Sequence, residues 1–346
     1  MNLPLGGAAL VWLFLRLNLP KKRTEHRIDW LGAGLLSVGI TALVLITTWG
    51  GSQYAWGSWQ VMALAVLGVA TLIAFGFVER RVAEPILSLE LFRNRNFALV
   101  SGIGFLLGFA MFGAINFLPL YQQTVQGSSA TNSGLLLLPM MGAMMVVSII
   151  AGQVITRTGK YKLFPVIGGV GMTVGMILLS FVDVGTTKFQ LALFMAALGF
   201  GMGFLMQTTM LIAQNSVEQK DLGVASSTAT FFRSIGGSFG VALFGTIFVR
   251  HLESDLASKL GPAAAERMTS GGGQVDPSKL GGLPLPQKAA LFEGIASSLS
   301  TVFAWAIPFA AVVAVLALFI KEIKLRGHDD EIPTEEAQPT LVAALD

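Results

Sequence analysis

The chain has 346 residues, of which 53% are hydrophobic and 12% charged, with a net charge of +3. An ordinary soluble domain is close to a quarter charged, so a soluble fold of this composition would carry its excess apolar surface outside; a bilayer solvates that surface instead. The small net charge gives no reason to expect a nucleic-acid partner, and the absence of cysteine excludes disulfides, thiolate zinc sites and thiol nucleophiles.

Crossing the hydrocarbon layer as a helix takes about 20 apolar residues. In chain order nine runs meet that demand: Asn2–Leu19, Asp29–Trp49, Gln60–Val78, Phe97–Tyr121, Ser133–Ile155, Leu163–Val182, Phe189–Gln214, Val224–Val249 and Ile295–Ile320. The first is the shortest, and neither a basic leading segment nor a small-residue cleavage site marks it as a signal peptide. Connections are short and polar except for 250–294, which holds Ser270-Gly-Gly-Gly and several prolines and reads as a mobile external loop with a short helix near Ala263–Met268. The acidic, polar tail 321–346 reads as disordered. Each span leaves its backbone polar groups paired within the helix, so the fold class is an all-α integral membrane bundle.

The cations orient it. If the first span ends in the cytoplasm, Arg16, Lys21, Lys22, Arg23, Arg27, Arg80, Arg81, Arg93, Arg95, Arg157, Lys160, Lys162, Lys220, Lys321, Lys324 and Arg326 all fall on the cytoplasmic side. The outer side keeps Lys188 and, in the long loop, Arg250, Lys259, Arg267, Lys279 and Lys288. This asymmetry obeys the positive-inside rule, and the uncharged turn between Trp49 and Trp59 supplies an outer aromatic belt. The expected location is a cell membrane, crossed many times, with the lipid bilayer as the standing partner.

Little in the spans is ionisable. No Asp or Glu falls in a span interior, and His26, His251 and His328 lie far apart in polar segments, so neither a metal site nor a cofactor is expected. A proton-coupled carrier ordinarily needs an intramembrane carboxylate or histidine, which would then belong to a part outside this chain. Arg233 is the one charge inside a span, about 15 Å from the cytoplasmic start of its helix at 1.5 Å per residue. It is either an electrostatic element of a substrate or proton pathway or a structural arginine bonded to helix carbonyls. Gly236, Gly237 and Gly240 follow it and permit close helix packing. Phe105, Phe109, Phe112 and Asn116 share one helix face; Met202, Met206 and Met210 form another stripe, with Gln207 and Gln214 nearby. Such stripes serve either a pocket for varied apolar ligands or plain packing and lipid contact. Pro119 and Pro139 are candidate helix breaks. The Gly-rich run at 199–203 follows no strand, which rejects a nucleotide-binding loop.

Three stretches together resemble one family: Asn2-Leu-Pro-Leu-Gly6, Gly152-Gln-Val-Ile-Thr-Arg157-Thr-Gly-Lys160, and the long run Gly223-Val-Ala-Ser-Ser-Thr-Ala-Thr-Phe-Phe-Arg233-Ser-Ile-Gly-Gly-Ser-Phe-Gly240. They look like the opening of the sixth helix, the loop signature and the penultimate helix of fourteen-helix drug:proton antiporters of the major facilitator superfamily. The resemblance implies an amino-terminally truncated member. Residues 1–20 would be the last helix of the amino-terminal bundle, 21–96 a two-helix linker hairpin with its connectors, and 97–320 the complete carboxy-terminal six-helix bundle. It further implies proton-coupled multidrug efflux by alternating access, with small amphipathic substrates and protons as partners of the full-length protein. Arg233, Phe112, Asn116, Met202, Met206 and Gln207 would flank the substrate pathway, and Gly152, Arg157, Gly159 and Lys160 would set the cytoplasmic gate. Thr156 stands where the family's loop has Asp, which puts a gating ion pair there in doubt. The alternatives are a transporter of another small solute and a non-transporting fragment. A membrane enzyme is disfavoured, because no His, Asp, Glu or Cys cluster stands at a span end.

Overall fold

The computed structural model describes residues 29–269 and 284–325 except 51, 52, 56, 83–86, 88 and 324, with a few helical positions before residue 16. The first expected span, the basic connector after it, the Gly/Pro-rich stretch 270–283 and the acidic tail lie largely or wholly outside the described residues.

The described elements are helical. α1 (Trp30–Trp49) and α2 (Trp59–Glu79) form a hairpin. Asp29 starts α1 by accepting the Gly32 N–H at 2.8 Å, and Ser58 does the same for α2 through the Val61 N–H at 3.4 Å. After a short 3-10 turn (Leu89–Arg93), Asn94 caps α3 (Arg95–Thr124), which runs unbroken through Pro119. Pro139 acts differently. It sits in the first turn of α5 (Leu138–Thr158), where a missing N–H costs no helix bond, and it separates α5 from the single-turn α4 (Ala130–Leu135). α6 (Leu163–Leu179) and α7 (Lys188–Asn215) follow, the latter opened by a capping box between Thr187 and Gln190. α8 (Leu222–Leu260), α9 (Pro262–Thr269) and α10 (Leu285–Leu318) complete the fold.

Seven of the described helical stretches are long and apolar enough to cross a membrane, and α6, at 17 residues, is a shorter apolar helix beside them. They coincide with eight of the nine expected spans. Their outward faces are apolar: Val66, Ile73, Phe77, Ile150, Val312 and Val315 are all exposed. That arrangement suits lipid rather than water.

The expectation of an irregular external loop over 250–294 needs correction at both ends. α8 continues to Leu260 and α10 begins at Leu285, because Leu252 and Leu256 are fully buried one turn apart and Leu291 and Ile295 are buried on the facing helix. Lys259 joins the two extensions, 3.0 Å from Asp255 and 3.1 Å from Glu293. The short helix expected near 263–268 is α9.

Packing sets the bundle. α3 lies along α8, and α7 lies between α5 and α6; α10 covers α6, α8 and α3. The α3–α8 crossing is tight because glycines face backbone. A β-carbon on Gly236 or Gly240 would overlap the carbonyl oxygen of Phe105 or Phe109, and one on Gly108 would overlap that of Arg233. Helices without side chains between them come within reach of dispersion forces, the main attraction left when lipid replaces water. The hairpin docks on α8 at two levels: Phe231 joins the cluster of Leu36, Phe75 and Leu87, and the Thr246 hydroxyl donates to the Thr47 carbonyl at 3.2 Å.

Candidate functional site

Close packing between α5 and α7 gives way to open space toward the carboxy-terminal ends of the two helices. Gly203 lies against the Met144 carbonyl, and its own carbonyl accepts the Ser148 hydroxyl at 2.9 Å. One turn further along α7 stands Gln207, with its amide nitrogen 3.4 Å from where a β-carbon of Gly152 would be. There a cavity of about 460 Å³ opens, lined by Ser148, Ile149, Gly152, Gln153, Thr156, Arg157 and Gln207. A larger residue at 152 would press on Gln207 and narrow it. The helix end beside it is built locally: Thr156 and Thr158 return their hydroxyls to the carbonyls of Gly152 and Val154 at 2.8 and 2.7 Å. Gly159 then takes the left-handed conformation (φ 68°) and donates to the Ile155 carbonyl, the usual helix stop at which a β-carbon is disfavoured. Of the four residues expected at the gate, Gly152 and Arg157 line the cavity, Gly159 turns the chain, and Lys160 is exposed beyond it.

α8 supplies the second part. Gln214 on α7 donates to the Ser226 hydroxyl on α8 at 2.9 Å, which fixes the level of the two helices. Seven residues deeper along each helix come Gln207 and Arg233. Two turns preserve the helix face and advance about 10 Å, so both residues stand at one depth on the faces that carry the Gln214–Ser226 bond. Arg233 is half-buried, and its guanidinium makes no ion pair or hydrogen bond with the described residues. One turn beyond it, Gly237 receives the ring of Phe112 from α3; a β-carbon there would overlap the ring. Asn116 is exposed and donates to the Phe112 carbonyl at 2.7 Å, which leaves its amide oxygen open.

The structure therefore gathers the expected pathway residues into two neighbouring groups. Arg233, Phe112 and Asn116 belong to the α3–α8 face, and Gln207 belongs with Gly152 and Arg157 to the α5–α7 face. Met206 is half-buried, whereas Met202 is 1% exposed and sits in the core among α7's neighbours.

Sequence reasoning missed a clasp beside the end of α5. Tyr161, fully buried, donates its hydroxyl to the Lys321 carbonyl at 3.3 Å and accepts the Ile323 N–H at 2.8 Å. Asn96 grips the same residue twice, donating to the Lys321 carbonyl at 2.7 Å and accepting its N–H at 2.9 Å. Burial pushes the Tyr161 hydroxyl above its ordinary value of 10.0, and the negative charge of Glu322 adds to that. An aromatic residue two positions after a helix-stop glycine in an otherwise charged loop was the available signal.

Apolar helices long enough to cross a membrane, packed against one another through glycines, define a helical membrane protein. The Major Facilitator Superfamily profile matches residues 4–241, more than half of the chain, and the chain belongs to that superfamily. It is similar to an uncharacterized MFS-type transporter of Mycobacterium tuberculosis, 38% identical over 335 residues that cover 95% of this chain and 48% of that one. It is also similar to the multidrug transporter protein MdtP of Bacillus subtilis, 34% identical over 359 residues, covering 97% of this chain and 66% of that protein. Multidrug resistance protein 3 of the same organism is 32% identical, covering 94% and 65%. The chain thus spans about half to two thirds of the length of these curated relatives. Among solved structures, a bacterial homologue of the human lysosomal transporter Spinster, inward-facing and occupied, shares the fold with a TM-score of 0.51 and 15% identity, covering 86% of this chain and 67% of that one.

Proposed function

We propose that this chain is the carboxy-terminal part of a proton-coupled efflux transporter of the cell membrane, of the fourteen-helix drug:proton antiporter type, which expels small amphipathic compounds by alternating access. The observation that carries the reading is the cavity lined by Gln207 and Arg157 at the end of α5, with Arg233 half-buried on α8, in a chain matched almost end to end by relatives named for multidrug transport. In this reading Arg233 tunes the electrostatics of the pathway, Phe112, Asn116, Met206 and Gln207 flank it, and Met202 backs it from the core. Gly152, Arg157, Gly159 and Lys160 set the cytoplasmic gate, where the cavity at the end of α5 lets helices slide or separate. The carboxylates of the described spanning helices, among them Glu79, Glu253, Asp255 and Glu293, stand toward the helix ends, and in this reading the coupling proton is carried elsewhere in the working transporter.

The test is dye accumulation in cells with and without the gene, using cationic, neutral and anionic amphipathic dyes. Deletion raises accumulation of at least one dye, and a protonophore abolishes the difference between the strains. Arg233→Ala at equal membrane abundance lowers efflux. Equal accumulation across the whole panel would point to a different small solute or to a fragment that does not transport. Undiminished efflux in Arg233→Ala would remove that residue from the pathway.

A further inference from the structure

The chain leaves the bundle beside a basic turn. After α10 it passes through Lys321 and Ile323, and the Ile323 N–H donates to the Tyr161 hydroxyl at 2.8 Å. Tyr161 is fully buried, whereas Lys160 and Lys162 on either side of it, and Arg157 at the end of α5, are exposed. None of these three cations forms an ion pair with a described residue, unlike Lys220 with Glu218 or Lys259 with Asp255 and Glu293. Six residues past Ile323 the sequence turns acidic: Asp329, Asp330, Glu331, Glu335 and Glu336 fall within eight positions that hold no cation.

The tie at Tyr161 sets the reach of that acidic run. Six residues span about 20 Å when fully extended, and a flexible linker of that length has a root-mean-square reach of roughly 13 Å. The carboxylates are therefore tethered to the turn that carries the cations. Tethering matters, because one exposed ion pair between separate partners contributes little. A short linker raises the local concentration to about the millimolar range and lets several weak pairs act together.

We propose that residues 329–336 are an intramolecular ligand of this turn: their carboxylates pair with Arg157, Lys160 and Lys162 and lay the chain across the mouth of the cavity that Arg157 lines. The contact goes beyond the efflux reading and does not depend on it. It is reversible and weakens with salt, since exposed charges are screened within about 10 Å at 0.1 M. An anionic bilayer surface is the competing occupant, because it attracts the same cations.

The experiment places spin labels in the full chain, which has no native cysteine, in phosphatidylcholine nanodiscs. Leu163→Cys is exposed and uncharged beside Lys162, and Thr334→Cys lies within the acidic run. Pulsed dipolar spectroscopy at low salt shows a short, narrow distance distribution, which lengthens and broadens at about 1 M salt. Exchanging the five carboxylates for Asn and Gln gives the broad distribution already at low salt. Reversal of the turn (Arg157→Glu, Lys160→Glu and Lys162→Glu together) does the same, and changing the five carboxylates to Lys in that background restores the short distance, which a misfolded turn would not. Separately, Gln153→Cys in the cavity reacts with a maleimide several-fold faster once the carboxylates are neutralised. A broad distribution in the native chain at low salt, no response to salt or neutralisation, or equal labelling of Gln153→Cys overturns the proposal. Phosphatidylglycerol added to the disc leaves the short distance in place; loss of it would give the cations to the lipid surface and overturn the proposal as well. Neither readout requires transport, so failure of the efflux reading leaves the contact standing, and failure of the contact leaves dye efflux unaffected.

Discussion

A β-carbon on Gly236 of α8 would occupy the place of the Phe105 carbonyl oxygen on α3. The two helices meet there backbone to backbone, with Gly108 against Arg233 making the reciprocal contact. The axis positions of α3 and α8, and through them the placement of Arg233, depend on the methyl groups missing at Gly108, Gly236 and Gly240.

Gly236→Ala therefore forces the helices apart or bends one of them, at a cost of about 1–3 kcal/mol for overpacking of this kind. Gly223 faces open space, and Gly223→Ala there gains helix propensity worth at most about 1 kcal/mol. Thermal unfolding in detergent, followed by size-exclusion of the remaining monodisperse fraction, shows a lower midpoint for the first variant and an unchanged or higher one for the second.

The clasp at Lys321 gives a second expectation. Asn96 is 2% exposed and makes both of its bonds to one backbone unit. Asn96→Ala removes both bonds to the Lys321 backbone, each of a kind that contributes about 0.5–1.5 kcal/mol. Limited proteolysis after the last helix detects the release, since the segment at Ile323 is then no longer tied to α3.

Tyr161 makes the same region sensitive to alkali. Its hydroxyl ionises above the ordinary tyrosine value because it is buried, so the folded protein holds a proton that the unfolded chain has already released. The associated stability is complete below pH 10 and disappears as the pH rises through the higher, folded value. The chain has three tyrosines. The 295 nm titration of the native protein minus that of Tyr161→Phe isolates this group, and its midpoint lies above the ordinary one. Coincidence with a free phenol would contradict the burial.

The extension of α8 tests charge against packing. Lys259 bridges Asp255 and Glu293 from a partly exposed position, and Leu256, one turn earlier, is fully buried. Lys259→Ala costs no more than about 1 kcal/mol, less in high salt, as exposed ion pairs do. Leu256→Ala costs about 2–5 kcal/mol, the range for a large buried side chain. Denaturation of the two variants in parallel shows the order.

Topology is open to direct measurement because the native chain has no cysteine to give a background. Gln53→Cys and Lys160→Cys occupy exposed turns at opposite ends of the spans. A membrane-impermeant maleimide labels the first in intact cells and the second only after permeabilisation. Labelling of both from one side refutes the orientation drawn from the cations.

Much of the fold was legible because the bilayer imposes a length and a polarity on each element. Trp30–Trp49 and Trp59–Glu79 match the expected second and third spans almost residue for residue. Lateral placement was less accessible. Met202, Met206 and Met210 share a stripe in any helix, but only the positions of the neighbouring helices decide that Met202 is sealed in the core while Met206 is half-buried. Helix ends beyond the membrane were hidden for another reason. The run from Arg250 to Leu260 is polar on average, yet Leu252, Leu256 and Leu260 recur every four residues, a period that average polarity conceals. The clasp was invisible because its partners, Asn96 and Lys321, are separated by 225 positions and one of them acts through its backbone.

The attachment of the hairpin to α8 has a mechanical meaning. Phe231 is wedged into the hairpin's apolar cluster two residues before Arg233, and the Thr246–Thr47 bond secures the far end of the same helix. Any rotation of α8 drags α1 and α2 with it as one body. The hairpin then rides as ballast on the helix that carries Arg233.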